Sequence, residues 1–243
     1  MRIDVAIIGG TGVGERLLAL GGEDFSISTP FGALNGSVLG YNGTSILLVS
    51  RHSAGHKVPP HKVNYRAIAS GLKSLGVAGC FASAAVGSLR RDWGPGTMVA
   101  CSDFLDFSGR NLTLFDEAVV HTDFTHPFGA STRQNLIASA AAQRVPLETA
   151  GVYICANGPR YETPKEVQLY KSFGGDVVGM TAASEAILMR EAGLDYATLA
   201  VVTNLAAGIS DQPLSHDEVV EQMVKSGEVA VSLLLDAARR QAA

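Results

Sequence analysis

Residues 50–66 read SRHSAGHKVPPHKVNYR and place three histidines, two arginines and two lysines directly after the apolar run SILLVS. Three kinds of partner suit such a segment: a metal, a nucleic acid or a small anion. His52 and His56 have the i, i+4 spacing of a helical metal pair. However, Gly55, Pro59 and Pro60 argue against a helix, and no Asp or Glu stands nearby as a further ligand. Arg51 and His52 directly follow a strand-like run, where α/β folds place ligand groups. An arginine fork there suits a dianionic phosphate. Taken alone, the segment also reads as a solvated basic loop.

Other strand-like runs end in the same way. Residues 7–14, IIGGTGVG, run into a glycine-rich turn whose backbone N–H groups and Thr11 hydroxyl suit an anion. The spacing is not G-x-G-x-x-G, because Glu15 stands where the last glycine should be, so no dinucleotide fingerprint is present. Residues 82–89, ASAAVGSL, offer small side chains that let a ligand touch the backbone. NGPRYET at 157–163 offers an aromatic face beside a carboxylate. VGMT at 178–181 and Thr203-Asn204 complete the set. Five polar strand ends in one chain imply a shared cleft.

These ends need a scaffold. Short apolar runs predict strands over 5–8, 45–49, 79–82, 98–101, 151–155, 177–178 and 196–202. Helical periodicity predicts helices over 64–75, 132–144, 164–173, 183–192 and 215–240. The alternation predicts an α/β fold with a substantially parallel sheet, and a single domain over 1–243. Ser215 and Glu218 form a capping-box pattern that starts the last helix and puts His216 at its first position. The positive end of the helix macrodipole disfavours a protonated imidazole there.

Bulk composition narrows the function. The chain has 243 residues, 47% hydrophobic and 17% charged, a balance that suggests a subunit interface. A formal net charge of −4 argues against a broad nucleic-acid surface. Three widely spaced cysteines without a C-x-x-C predict reduced thiols and a cytoplasmic protein. The start, MRIDVAIIGG, does not read as a secretion signal, and no apolar run approaches the roughly 18 residues of a membrane span.

IIGGTG, TPFG, RH followed by KVNYRA, AAVGSL, GPRYET, VVGMT, EA and VTN occur in this order across nearly the whole chain. Together they resemble the trimeric purine nucleoside phosphorylase and methylthioadenosine phosphorylase family. The resemblance implies a phosphorylase/hydrolase-like fold, a mixed barrel-like β-sheet flanked by α-helices, assembled as a homotrimer or a dimer of trimers. It implies that Thr11, Arg51, His52, Ala85 and Thr181 bind phosphate, which is a substrate, so that no metal or organic cofactor is required. It places Met180 beside the ribose, Tyr161 on the base and His121 at a neighbouring subunit's sugar pocket, and makes Asn204 and His52 the catalytic residues. The implied reaction is reversible phosphorolysis of a purine nucleoside to free base and pentose 1-phosphate, a purine-salvage step.

The chemistry of the base selects among family members. A 6-oxopurine presents N1–H as a donor and O6 as an acceptor. Glu162 can accept N1–H, while the Asn204 amide can accept N7–H and donate to O6. An aminopurine instead suits an Asp at position 204 and a neutral side chain at 162. This pair predicts inosine and guanosine as substrates, although RHSAGHKVPPHKVNYRA looks closer to the methylthioadenosine enzymes. His216 stands where methylthio-nucleoside enzymes have an apolar residue, and it can hydrogen-bond a 5′-hydroxyl. The alternatives are an S-methyl-5′-thioinosine or thioadenosine phosphorylase and, in a different class, a phosphate-independent nucleoside hydrolase or a nucleoside-binding protein.

Overall fold

The computed structural model describes residues 2–53, 57–210 and 214–243. His56 and Gly55, weighed above for a metal pair, lie outside the described residues. In chain order the elements are β1 (Val5–Gly9), α1 (Gly14–Ala19), β2 (Glu23–Thr29), β3 (Gly32–Tyr41), β4 (Thr44–Ser50), α2 (Tyr65–Leu75), β5 (Cys80–Ser88), β6 (Met98–Ala100), β7 (Asp103–Asp106), α3 (Ala130–Gln143), β8 (Val152–Cys155), α4 (Pro164–Ser172), β9 (Val177–Gly179), α5 (Ala182–Glu191), β10 (Tyr196–Leu205) and α6 (His216–Ala242).

β1 is buried at every position, and a strand with no polar face must be covered on both sides. Its neighbours β4 and β5 are both parallel to it. Successive side chains enter different cores, as strand geometry requires. Val5 and Ile7 pack with Ile46, Leu48 and Phe81 under α1, α3 and α6. Ala6 and Ile8 pack with Leu47, Val49 and Ala82 under α2 and α5. The expected mixed α/β architecture with flanking helices is therefore present.

The ten-stranded sheet runs β2-β3-β4-β1-β5-β9-β8-β7, with β10 beside β5 and β6 beside β10. The described strand pairs include five parallel and four antiparallel ladders. The antiparallel share comes mainly from β2–β3–β4, a meander the strand pattern did not predict. β2 is an edge strand with a mostly exposed surface, so it carries no buried apolar run. At the turn before β4, Asn42 and Gly43 both have positive φ, as an Asn-Gly hairpin turn requires.

β5 carries the feature that makes a site possible. β10 pairs with it from Cys80 to Ser88 and so occupies one whole edge. The other edge is shared. β1 pairs with Cys80, Phe81 and Ala82, and β9 pairs with Gly87 and Ser88. Residues 83–86 therefore have no strand partner on that edge among the described residues. The sheet parts there, between the C-terminal ends of β1 and β9.

Helix caps set the entries to this opening. Thr163 and Glu166 form a full capping box at α4, with Pro164 in the first turn. At α6 the Ser215 side chain accepts from Glu218 N at 3.2 Å. The three cysteines are buried free thiols, and burial pushes Cys101 and Cys155 up to about 12. Among the described residues no helix is long and apolar enough to cross a membrane.

The Thr163 cap holds the chain just after Glu162. Thr163→Ala should lower stability by about 1 kcal/mol and the thermal midpoint by roughly 2–4 °C. An unchanged midpoint would show that the cap contributes nothing.

Candidate active site

The parted sheet opens into a cavity of about 380 Å³, within the roughly 300–1,000 Å³ of small-molecule sites. Six strand ends supply its walls. Thr11 comes from the turn after β1, Arg51 and His52 from the end of β4, and Ala85 from the unpaired stretch of β5. Tyr161 and Glu162 follow β8, Met180 and Thr181 follow β9, and Asn204 lies near the end of β10. The shared cleft expected from polar strand ends is thus present. His216 at the start of α6 also lines it. His121 does not: it is exposed and lies outside the cavity of its own chain.

One end of the cavity is built around a buried charge. Arg51 and Glu185 are each 1% exposed at the side chain. Arg51 Nε donates to Glu185 Oε1 at 2.5 Å and Nη2 to Oε2 at 2.8 Å, a bidentate pair. Nη1 donates to the Ser83 carbonyl at 2.8 Å. Burial opposes the charge on Arg51, but the Glu185 carboxylate outweighs it and holds the guanidinium above its ordinary pKa. Of the five guanidinium N–H groups, three are engaged and two remain. This refines the expected anion fork: its Nε side serves Glu185, and only the remaining Nη groups can meet a ligand. A Cβ on Gly10 would lie 2.5 Å from Arg51 Nη1 and 2.6 Å from the Ser83 carbonyl oxygen, so only glycine fits there.

The neighbouring groups are equally fixed. His52 Nδ1 lies 2.8 Å from the Val58 carbonyl, and Val58 N donates to the His52 carbonyl at 3.0 Å. A carbonyl only accepts, so Nδ1 carries the hydrogen and Nε2 is an acceptor when the ring is neutral. Thr181 is the N-cap of α5 but makes no side-chain cap bond. Its backbone N–H goes to the Tyr153 hydroxyl at 3.2 Å, and its side chain also bonds that hydroxyl while the residue lines the cavity. A Cβ on Gly179 would lie 2.2 Å from that same hydroxyl, so glycine is required before Met180.

Two further lining residues keep hydrogen-bonding capacity. Glu162 is 8% exposed, and its Oε1 is buried without a hydrogen-bond partner. Burial raises its pKa. A buried acceptor with nothing to accept is a place prepared for a donor. The β5–β10 register shifts between Val202 and Asn204, and such a bulge re-aims the side chain that follows. Asn204 Nδ2 makes only a 3.5 Å contact, to Thr203 Oγ1. Its amide therefore retains donor and acceptor capacity. Among the described residues, no group of three or more His, Cys, Asp or Glu side chains could hold a metal ion.

Sequence reasoning assigned no role to Glu185, Ser83, Tyr196 or Lys57, which also lines the cavity, although Ser83 and Lys57 lie in the segments 82–89 and 50–66 singled out above. Glu185 stands in the EA of the motif order, a lone carboxylate in the alanine-rich run TAASEAI, but no role was read from it. Its partner is 134 positions away, and nothing local identifies it.

A buried guanidinium and a carboxylate oxygen without a partner thus line one cleft at the strand ends. The model of the phosphorylase superfamily matches residues 4–239. A Moorella thermoacetica protein named "Probable 6-oxopurine nucleoside phosphorylase" is 44% identical, over 96% of this chain and 91% of its own length. A Methanothermobacter thermautotrophicus protein named "Probable S-methyl-5'-thioinosine phosphorylase" is 43% identical, over 97% and 83%. The solved methylthioadenosine phosphorylase of Schistosoma mansoni, in complex with adenine, superposes with a TM-score of 0.91 at 32% identity, covering 98% of this chain and 91% of that one. The chain belongs to the phosphorylase superfamily.

The prepared acceptor should carry a stability penalty. A carboxyl whose folded pKa is raised binds more protons folded than unfolded, so stability falls as pH rises from the unfolded value through the folded one. Glu162→Gln should therefore stabilise the ligand-free protein near pH 7.5, by about 1 kcal/mol because the amide is still buried. The gain should disappear below the ordinary glutamate range. Urea denaturation at both pH values checks this, and a variant no more stable than the native protein at pH 7.5 would contradict it.

Proposed function

We propose that this protein is a 6-oxopurine nucleoside phosphorylase, a pentosyltransferase that cleaves inosine and guanosine with phosphate. The observation that carries the reading is the Glu162 carboxylate, one oxygen of which has no hydrogen-bond partner, lining one cavity with Asn204, Arg51 and Thr181. The names of two relatives support it, because inosine and methylthioinosine both carry a 6-oxopurine.

Each residue has a task in this reading. Thr11, Arg51, His52, Ala85 and Thr181 bind the phosphate. A phosphate oxygen bonds to C1′ as the C1′–N9 bond breaks, and the bonding electrons pass into the purine. The sugar carries positive charge in the transition state, which the bound dianion stabilises. The departing base, now carrying the bonding electrons, takes a proton from solvent at N7; Asn204 Oδ1 accepts that N7–H, and Nδ2 donates to O6. Glu162 accepts N1–H, Tyr161 stacks on the base and Met180 packs beside the ribose. Catalysis is positioning and electrostatics, so neither a metal nor an organic cofactor is required. His216, at the cavity wall, hydrogen-bonds the 5′-hydroxyl. The protein is a cytoplasmic purine-salvage homotrimer, in which the exposed His121 reaches a neighbouring copy's sugar pocket.

Base release from inosine should require phosphate or arsenate and survive EDTA; equal release in water would make the protein a hydrolase. Adenosine should be cleaved about 10⁴-fold less well, because a site built for hydrogen bonds rejects the mismatched analogue. Asn204→Asp should narrow that gap. His216→Val should lower kcat/KM for inosine by about one to two decades relative to methylthioinosine. A native preference for methylthioinosine would move the chain to that activity and leave His216 as a helix-start residue.

A further inference from the structure

We propose that Glu185 is a positioning residue for phosphate, acting through Arg51 and braced from behind by Tyr196. The inference rests on the phosphorylase reading and goes beyond it, since Glu185 does not line the cavity.

The geometry is a relay of buried groups. Thr198 Oγ1 donates to the Tyr196 hydroxyl at 2.8 Å. That hydroxyl donates to Glu185 Oε2 at 2.5 Å, and Glu185 holds Arg51 from its Nε side. Tyr196 is 1% exposed and Thr198 fully buried, so no water competes for these bonds. The Tyr196 ring is set in turn by stacking on Phe128, with centroids 6.0 Å apart. Glu185 also lies on α5, one turn after Thr181. A single helix start thus carries one phosphate ligand and the anchor of another.

Two effects of Glu185 on an anion oppose each other. Its negative charge repels phosphate across the guanidinium. Its two oxygens fix the planar fork so that the remaining Nη groups face the cavity. Positioning wins, because the carboxylate is in direct contact with Arg51 and one guanidinium farther from the ligand. A glutamine here would offer one acceptor and set an N–H donor against a guanidinium N–H. The fork would rotate, and a displacement of about 1 Å can cost on the order of 10²-fold. Residues 83–86 add to the constraint, since the Ser83 carbonyl accepts the third Arg51 bond from the unpaired edge of β5.

The test is steady-state kinetics of the full chain, varying phosphate at saturating inosine and inosine at saturating phosphate. Glu185→Gln should raise the phosphate KM by about tenfold or more, with inosine KM changed less than about twofold. Tyr196→Phe keeps the ring and the ion pair and should raise phosphate KM by about threefold. It decides the matter if Glu185→Gln does not fold. A residue with only a structural role would lower the active fraction, and hence kcat, without moving phosphate KM. An unchanged or lower phosphate KM in Tyr196→Phe or in a folded Glu185→Gln would overturn the inference while leaving phosphorolysis intact. Absence of phosphate-dependent cleavage by the native protein would instead overturn the phosphorylase reading. In that event the native and variant proteins are compared for stabilisation against heat by inorganic phosphate. Weaker protection of Tyr196→Phe supports the role of Glu185, and equal protection rejects it.

Discussion

β5 has two edges and must serve three neighbours. β10 takes one edge entirely, so β1 and β9 divide the other and leave residues 83–86 unpaired between them. Unsatisfied backbone in a sheet interior is costly, and the fold answers with side chains and loops. The Ser83 carbonyl accepts from Arg51, and the Ser83 hydroxyl accepts from Gly10 N at 2.9 Å. The turn after β1, the end of β4 and the start of α5 all converge because that gap exists. A cavity at the C-terminal ends of parallel strands is the consequence, as in other open α/β sheets.

The two ends of the cavity solve opposite electrostatic problems. At the anion end a buried arginine is stable only because Glu185 accompanies it, and breaking such a pair costs about 3–5 kcal/mol. Elsewhere in the cavity lining, one Glu162 oxygen is left without a partner and the carboxyl pKa rises with burial. The first arrangement commits its polar groups to rigidity, and the second leaves an acceptor uncommitted.

Much of this was legible in the chain, for a physical reason. Buried parallel strands are continuous apolar runs, so VAIIG, SILLVS and ATLAVV announced themselves, and polar residues just beyond them announced a cleft. The motif order pointed to the family before any fold was known. β2 was missed because an exposed edge strand needs no apolar run, and α1 because six residues hold too little periodicity. Glu185 and Tyr196 were missed for a different cause. Their roles arise from contacts across 134 and 11 positions, and spacing does not encode them. The bulge that aims Asn204 is likewise a property of pairing between β5 and β10, not of either strand.

The most direct measurement is a crystal structure of the protein with hypoxanthine and sulfate or phosphate. The account predicts the anion in the gap beside residues 83–86, within hydrogen-bond distance of Arg51 and the Thr181 hydroxyl. It predicts the purine across the same cavity, with N1 on Glu162 and N7 on Asn204. An anion bound elsewhere, or a purine turned away from Glu162, would contradict it.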